Sequence, residues 1–433
     1  MKLFPRDINF EEKRTFRLHL AYSVIEGFIL GSLALNEFVF IKSLKGSNLE
    51  LGILFQLSMV VFVLLIFVNE FVKRIKNRRT FLRWVGIVTR FPLLLLVFFP
   101  KTPEMLEGTS VYHQVFLLIF LIYYLAALIV NPTINLLLKN NYRGHNFGSL
   151  YSYATSVNKI IMLVTTFFYG LFLDFDPFAF TIILPVSGLL GMVSIFFLSK
   201  IHYSATNVIY PKTTFGQSVV GSIKNMYSIL RNNPPYLHFE ISFMIYGFSF
   251  MTTFALITIF FYDILNLNYS SVAFYKNAYN ILAILLLPMF GRLMGKLDPR
   301  QFGVITFSAL GLYLFFLAIT EFFPFYTEIL GIKLYFTLIF YIIFHGFFAA
   351  TMSLLWNIGS AYFANNREAD IYQSTHLFLT GIRAVTAPLS GIFLYEKFGF
   401  TITFTIAIFV LFLAILVLLW SYRRDKIQIS QIC

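Results

Sequence analysis

Charged side chains inside long apolar stretches are the residues of this sequence best suited to chemistry. Those stretches contain the cations Arg90, Lys159, Lys276 and Arg383, and one carboxylate, Glu26, lies deep within a stretch. An ionisable group at the centre of a bilayer costs about 2.5–3.5 kcal/mol on insertion scales, so it usually faces a wet interior. Four cations against one carboxylate make such an interior positive, and arginine binds carboxylate or phosphate through two parallel hydrogen bonds. We therefore expect these cations to bind a small organic anion.

Each of these groups also has a structural interpretation. Lys276 can extend its stem towards the membrane surface. Arg90 and Glu26 can form an ion pair between two helices. For Lys159 and Arg383 a structural role is the weaker alternative, because the two occupy matched positions in the two halves of the chain.

Two groups are candidates for coupling proton movement to ligand movement. His345 can change its charge near physiological pH, although a lone histidine more often serves only as a hydrogen-bonding residue. Glu26 can hold a proton in a dry site unless a cation keeps it ionised. Among the many aromatic residues, Tyr124 and Trp356 are candidates to line the binding pocket.

The composition indicates the class of element that carries these residues. Of the 433 residues 58% are hydrophobic and 12% are charged, with a mean hydropathy of +0.77. Soluble proteins carry about 25% charged residues, so the composition excludes a water-soluble protein. The apolar stretches run nearly unbroken, as in Trp84–Pro100, whereas an outer-membrane barrel shows alternating polarity. Because a spanning helix needs roughly 20 apolar residues, the chain has room for about a dozen.

The net charge of +13 has a topological explanation. Most lysines and arginines fall between apolar stretches, in alternate loops and at both termini, which is typical of cytoplasmic segments. We predict both termini in the cytoplasm, a plasma (inner) membrane location, and no nucleic-acid partner. The single cysteine, Cys433, permits neither an intrachain disulfide nor a thiolate metal cluster. We expect no metal and no cofactor, and as partners the bilayer, a small-molecule substrate and a co-transported proton or ion.

The apolar stretches divide the chain into two similar halves. The segment Ile201–Leu237 is more polar than its flanks and contains three prolines, so we predict an N-terminal bundle over 1–200, a cytoplasmic linker over 201–237 and a C-terminal bundle over 238–433. The predicted fold is all-α, a polytopic membrane protein of about twelve transmembrane helices in two pseudo-symmetric six-helix bundles. The predicted spans are 18–41, 50–72, 81–99, 112–138, 149–173, 178–200, 238–263, 270–294, 302–323, 333–358, 372–395 and 400–421.

Matched positions support a duplicated six-span unit. Lys159 and Arg383 are 224 residues apart, and each follows a loop arginine by sixteen residues. At an offset of 222, three positions after the second span correspond to three after the eighth. These pairs are Asn69 with Gly291, Arg74 with Lys296, and Arg78 with Arg300.

Over nearly its full length the chain resembles the major facilitator superfamily. The segment from Asn69 to Arg79 is a degraded form of that family's G-x-x-x-D-R-x-G-R-R motif, and the segment from Gly291 to Arg300 is the counterpart in the second half. Neither copy has the acidic residue at the fifth position. The resemblance implies a secondary active transporter that works by alternating access, and no enzyme activity. It also implies that a gate includes Arg74, Arg78, Gly291, Lys296 and Arg300.

Other functions stay open at this stage. Neutral sugars or amphipathic drugs are the alternative substrates. A non-transporting membrane sensor is compatible with the degraded motif. A membrane-embedded enzyme needs paired carboxylates or a metal site, and the short predicted outer loops show no such motif.

Overall fold

The computed structural model describes residues 8–72, 74–75, 77–106, 110–142, 144–202, 214–364 and 369–432. Over these ranges the chain is helical apart from loops and one β-hairpin. The α-helices are α1 (Phe10–Leu33), α2 (Asn36–Lys42), α3 (Asn48–Val60), α4 (Leu65–Val72), α5 (Arg78–Arg90), α6 (Val111–Leu125), α7 (Ala127–Asn141), α8 (Gly144–Phe175), α9 (Phe180–Ser199), α10 (Phe215–Asn232), α11 (Pro234–Ile259), α12 (Tyr269–Met294), α13 (Pro299–Ile319), α14 (Phe336–Ile358), α15 (Ala369–Ala384) and α16 (Ala387–Ile432).

Eleven helical segments in the described ranges are long and apolar enough to cross a membrane. The last of them, Ile371–Ile427, has 57 residues, more than twice the length that one span requires. It is interrupted at Val385 and Thr386, between α15 and α16, and again at Gly399, whose φ is 79°. This segment therefore contains two spans, which gives twelve, and the prediction of an all-α polytopic membrane protein is confirmed.

Side chains at the helix starts explain where several of these helices begin. The Asn9 side chain accepts a hydrogen bond from the Glu12 amide, and the Glu12 carboxylate accepts one from the Asn9 amide. Such a reciprocal cap satisfies amides that the first helical turn leaves unpaired. Asn233 and Asn268 cap α11 and α12 in the simpler one-way manner. Because of its cap, α1 begins at Phe10, about two turns before the predicted span at residue 18.

Two elements differ from the sequence-based prediction. The segment predicted as a cytoplasmic linker contains a helix that the sequence analysis did not assign, α10, whose Val219 and Met226 are buried. A β-hairpin precedes α14, with β1 (Tyr326–Ile329) antiparallel to β2 (Ile332–Tyr335). Its two-residue turn has positive φ at Leu330 and Gly331, 51° and 76°, the geometry that matches the twist of paired strands.

The first of two compact units comprises Met1–Glu50 and Phe67–Ser218. Within it α1 packs against α8 and α9. A Cβ atom added at Gly27 would lie 2.5 Å from the Asn158 carbonyl oxygen, and one at Gly31 would lie 2.7 Å from the Thr165 Cβ. Small residues allow helix backbones to approach closely in a membrane, so these glycines set the distance between α1 and α8.

The second unit comprises Leu51–Ile66 and Val219–Cys433. Here α11 packs along α16, and α13 packs between α14 and α16. Ser242 Oγ donates to the Ala414 carbonyl over 2.8 Å, and Ser249 Oγ donates to the Ala407 carbonyl over 2.7 Å. These buried hydrogen bonds join α11 to the last span. The predicted bundle boundaries at residues 200 and 238 stay a prediction.

Candidate functional site

In the first unit, Glu26 is buried and bound by a hydroxyl group. Its side chain is 8% exposed, and Ser194 Oγ on α9 donates to its Oε1 over 2.6 Å. No basic side chain among the described residues lies within ion-pair distance of this carboxylate. The ion pair with Arg90, which the sequence left open, therefore does not form. Tyr22 and Tyr123 lie within electrostatic reach of both Glu26 and Arg90.

Arg90 ends α5 in a slot against α9. Its guanidinium carbon lies 4.1 Å from the centroid of the Tyr123 ring, and Nη1 donates to the Tyr123 carbonyl over 3.4 Å. A Cβ atom added at Gly191 would lie 2.9 Å from the Arg90 Cδ, so glycine is what leaves room for the arginine. The Nε atom is buried with no hydrogen-bond partner in the described part of the chain.

Lys159 lies halfway along the 32-residue helix α8, about 22 Å from either end at ~1.5 Å per residue. Its side chain is half-buried, and it makes no hydrogen bond or ion pair with any residue that the structure describes. Ser152 and Ser156 precede it at helical spacing, and both are exposed. We call Ser152, Ser156 and Lys159 the α8 polar stripe. Such a stripe in a spanning helix indicates contact with water or ligand, not lipid.

Arg383, the matched cation of the second half, has a more closed environment than Lys159. It is 5% exposed, and its Nη1 donates to the Phe243 carbonyl on α11. A Cβ atom at Gly247 would overlap the guanidinium, so the missing side chain of Gly247 on α11 leaves the space that Arg383 occupies. Gly191 on α9 leaves such a space for Arg90, and we call each space a glycine slot. Nε is buried with no partner among the described residues.

Glu240 and His376 form a buried pair that the sequence analysis missed. Both are 2% exposed, and the His376 Nδ1 lies 3.1 Å from each Glu240 carboxylate oxygen. The sequence analysis did not single out Glu240, which is near the start of α11, or His376. His376 and Arg383 are seven residues apart on α15, which places both on the face that meets α11. The seven-residue spacing between His376 and Arg383 on one helix was the sequence signal that could have identified His376.

The remaining predicted pocket residues occupy separate places. Lys276 lies two turns into α12 and is half-buried, and it interacts with other residues of the chain. The Tyr124 hydroxyl accepts a hydrogen bond from the Asn36 amide over 3.4 Å. The Trp356 ring meets the His376 ring edge-on, with 4.8 Å between the centroids. Of the predicted pocket residues in the second unit, Trp356 and Arg383 thus both belong to the surroundings of the Glu240–His376 pair.

His345 is held in a stack of aromatic rings in the second unit. Its ring centroid lies 3.6 Å from that of Tyr279 and 4.4 Å from that of Tyr313, with both planes nearly parallel to the imidazole. The edge of Tyr341 closes a third side at 5.1 Å. The Nδ1 atom is buried without a hydrogen-bond partner in the part of the chain described. Because the ring is buried and its Nδ1 has no partner among the described residues, this stack suits a neutral imidazole.

Of the predicted gating residues outside the Arg300 site, Arg74 makes a side-chain hydrogen bond within its own unit. Arg74 Nη2 donates to Ser218 Oγ over 2.9 Å. Lys296 is exposed, and Gly291 has open space where a Cβ would be. Arg78 begins α5, and its side chain lies outside the described part of the structure. The gating role of this set stays a prediction.

Arg300 has acidic partners despite the missing acidic residue of the motif. It binds Asp298 at 3.0 Å and Asp425 at 2.5 Å, and its Nη1 donates to Ser421 Oγ over 2.9 Å. A parallel contact occurs in the first unit, where the Arg83 Nε donates to Ser199 Oγ over 2.9 Å. Ser199 and Ser421 are 222 residues apart, the offset that relates the two loop motifs. Within the described ranges no three metal-ligating side chains are grouped to hold a metal ion.

Solved structures of transporters share this fold. A mutant of the nucleoside transporter NupG is 12% identical, with a TM-score of 0.69, covering 94% of this chain and 100% of that chain. The POT family transporter PepTSo is 14% identical, with a TM-score of 0.66, covering 96% and 99%. A peptide transporter POT in complex with sulfate is 12% identical, with a TM-score of 0.66, covering 97% and 96%.

Sequence comparison gives the family directly. No curated protein matches the sequence. The family model described as Major Facilitator Superfamily matches residues 23–332, well over half of the chain. With twelve spans and a fold shared with known carriers, the chain belongs to the Major Facilitator Superfamily and is a secondary transporter.

Proposed function

We propose that this transporter carries a small organic anion and that Lys159 binds its charged group. The observation that carries the proposal is a cation at the middle of a spanning helix with no hydrogen bond or ion pair in the described part of the chain. An unpaired charge at this depth is expensive. A substrate anion bound at the α8 polar stripe would offset the free-energy cost of the unpaired Lys159 charge, and Ser152 and Ser156 would add hydrogen bonds.

Arg90 and Arg383 support the proposal as sources of positive potential. Each guanidinium is fixed by a backbone carbonyl and a glycine slot, and neither has a carboxylate as a direct ion-pair partner in the described ranges. The charge of Arg90 is therefore not neutralised by a direct ion pair, whereas Glu240 lies within electrostatic reach of Arg383. In a region of low dielectric constant such charges act over a longer range than in water, so they would favour entry of an anion.

Substitution at Lys159 tests the proposal. We expect Lys159→Gln to weaken binding of the transported anion by about 10–100-fold, because a hydrogen bond to a charged group contributes roughly 1.5–3 kcal/mol. Lys159→Arg should retain part of the binding. The measurement is uptake of a panel of organic anions, sugars and nucleosides into vesicles that contain the purified protein. The matched control is Lys101→Gln, which removes an exposed loop cation.

Two results would contradict the proposal. One is a transported ligand that is neutral. The other is an anion whose uptake is equal in the parent and in Lys159→Gln. Neutral sugars and amphipathic drugs are the alternative substrates. Nucleosides and peptides are further alternatives, because solved structures with a similar fold are named as nucleoside and peptide transporters. A sensor that binds without transport would show ligand-dependent thermal stability and no uptake.

We propose a proton as the coupling ion, with Glu26 as the group that carries it. The support is a buried carboxyl group whose hydrogen bond comes from the neutral Ser194 hydroxyl and which has no ion pair among the described residues. Glu26→Gln should abolish accumulation driven by a pH gradient and retain exchange of labelled for unlabelled substrate. Glu104→Gln, which changes an exposed carboxylate, is the control. Equal accumulation by Glu26→Gln and the parent would transfer the role to His345 or to the Glu240–His376 pair.

A further inference from the structure

A groove in the first unit lies between the start of α1 and the end of α9. Its volume is about 290 Å³. Of the described side chains that line it, four are cationic and two are apolar, and none is a carboxylate. The lining residues are Phe10, Lys13, Arg14, Arg17, Leu18 and Lys200.

The described residues do not balance the positive charge of the groove. In the described ranges none of its four cations forms an ion pair or a hydrogen bond through its side chain; Lys200 contacts the Phe196 ring at 4.5 Å. Glu11 is exposed on the neighbouring side of α1, where with Arg14 it lines a different cavity. Lys13 and Arg17 are four residues apart on one helix face, a spacing at which like charges repel.

The position of the cations on α1 adds a second unfavourable term. Lys13 lies in the first turn of α1, where backbone amides carry partial positive charge and favour anions. Repulsion between the side chains and repulsion from the helix dipole therefore act together. Both are relieved when an anion occupies the groove.

The groove also lies where a membrane begins. The candidate spans Phe10–Lys42 and Phe180–Ser199 both end beside it. Phe10 is 77% exposed, and Leu18 is half-buried among the same cations. A phosphate group with attached acyl chains matches this combination of cationic and apolar lining, and basic pockets between spanning helices bind anionic headgroups.

We infer that this groove binds the headgroup of an anionic phospholipid. Arg14 and Arg17 bind the phosphate through their guanidinium groups, Lys13 and Lys200 add charge, and Phe10 contacts the acyl chain. The inference is independent of the transported substrate, because none of these residues belongs to the proposed substrate site.

Lipid retention by the full-length protein tests the inference. The purified protein in detergent is mixed with phosphatidylglycerol, phosphatidylcholine or inorganic phosphate, and bound molecules are counted by native mass spectrometry. We expect the parent to retain phosphatidylglycerol and not phosphatidylcholine. The double variant Arg14→Gln/Arg17→Gln should bind it roughly 25-fold more weakly, because each surface cation contributes about fivefold.

The control removes two exposed cations at the opposite end of the chain, Arg423 and Lys426. Arg423→Gln/Lys426→Gln should retain phosphatidylglycerol as the parent does. A second pair, Lys13→Gln/Lys200→Gln, repeats the test if the first variant does not fold. Three results would overturn the inference: equal retention by parent and groove variants, equal retention of phosphatidylcholine, or displacement of the lipid by an equal concentration of inorganic phosphate.

Discussion

Gly247 gives the sharpest test at the scale of single residues. Because an added methyl group would overlap the Arg383 guanidinium, Gly247→Ala should destabilise the protein by about 1–3 kcal/mol, the usual cost of overpacking. Thermal unfolding in detergent measures this. Gly221→Ala on α10 is the matched control, since its added Cβ meets open space and should stabilise slightly. Equal effects at both positions would show that Arg383 does not depend on the slot.

Because Glu240 and His376 are in direct contact, we expect the effects of substituting them on the free energy of unfolding to be strongly coupled, although the two are far apart in the sequence. Removal of one partner leaves a buried polar group alone, so Glu240→Leu and His376→Leu should each cost about 3–5 kcal/mol. The double variant should cost clearly less than the sum of the two, because it leaves neither group unpaired. A double-mutant cycle on unfolding midpoints gives the coupling energy. Additive effects would contradict a direct interaction.

Sequence reasoning at this scale identified charges more readily than their partners. An arginine or glutamate within an apolar stretch is visible in the sequence because its burial is costly. Its partner is not, because Glu26 and Ser194 are 168 residues apart and Glu240 and His376 are 136 apart. Serine is also common in spanning helices, so composition does not distinguish Ser194 from its neighbours.

At the scale of elements, we expect a serine-to-alanine substitution to lower the free energy of unfolding by different amounts at Ser199 and at Ser421. In the described residues Arg83 has the Ser199 hydroxyl and the Phe196 ring as partners, so Ser199→Ala should cost about 1 kcal/mol. Ser421→Ala should cost Arg300 less than half of that, because Arg300 keeps two aspartates, and His238→Ala as a background removes the second partner of the Ser421 hydroxyl. Unfolding midpoints of the two variants provide the comparison. A larger loss for Ser421→Ala would refute this account.

The sequence predicted spans well and short polar elements poorly. A spanning helix is set by about 20 apolar residues in succession, which any sequence shows directly. The helix α10 was missed because its apolar side chains, such as Val219 and Met226, alternate with polar ones and form a face only once the chain is helical. The hairpin at Leu330 and Gly331 lay within a few residues of two predicted spans and left no separate signal.

For the whole molecule, the distribution of cations predicts the orientation in the membrane. We expect Cys433, the one cysteine of the sequence, to face the cytoplasm. A membrane-impermeant maleimide should label it in permeabilised cells and not in intact cells.

Two controls complete this topology measurement. Cys433→Ser should show no labelling under either condition. Lys101→Cys in that background should be labelled in intact cells, because residue 101 falls in a predicted outer loop. Labelling of Cys433 in intact cells would reverse the predicted orientation.

The overall architecture was predictable because lipid limits what the chain can do. Every backbone group within the bilayer must be satisfied inside the chain, so long apolar stretches become helices. The two spans within Ile371–Ile427 were also separable by sequence, since Gly399 falls between the predicted spans at 395 and 400. The assignment of chemistry to side chains was harder, because it depends on packing between distant helices.

The edge-on contact between Trp356 and His376 gives the protein an intrinsic optical reporter. The chain has three tryptophans, and Trp84 and Trp420 are 61% and 53% exposed. A protonated imidazole quenches indole fluorescence at close range. With Trp84 and Trp420 replaced by phenylalanine, the emission intensity of Trp356 should therefore follow proton occupancy of the Glu240–His376 pair in real time during transport, without an attached dye.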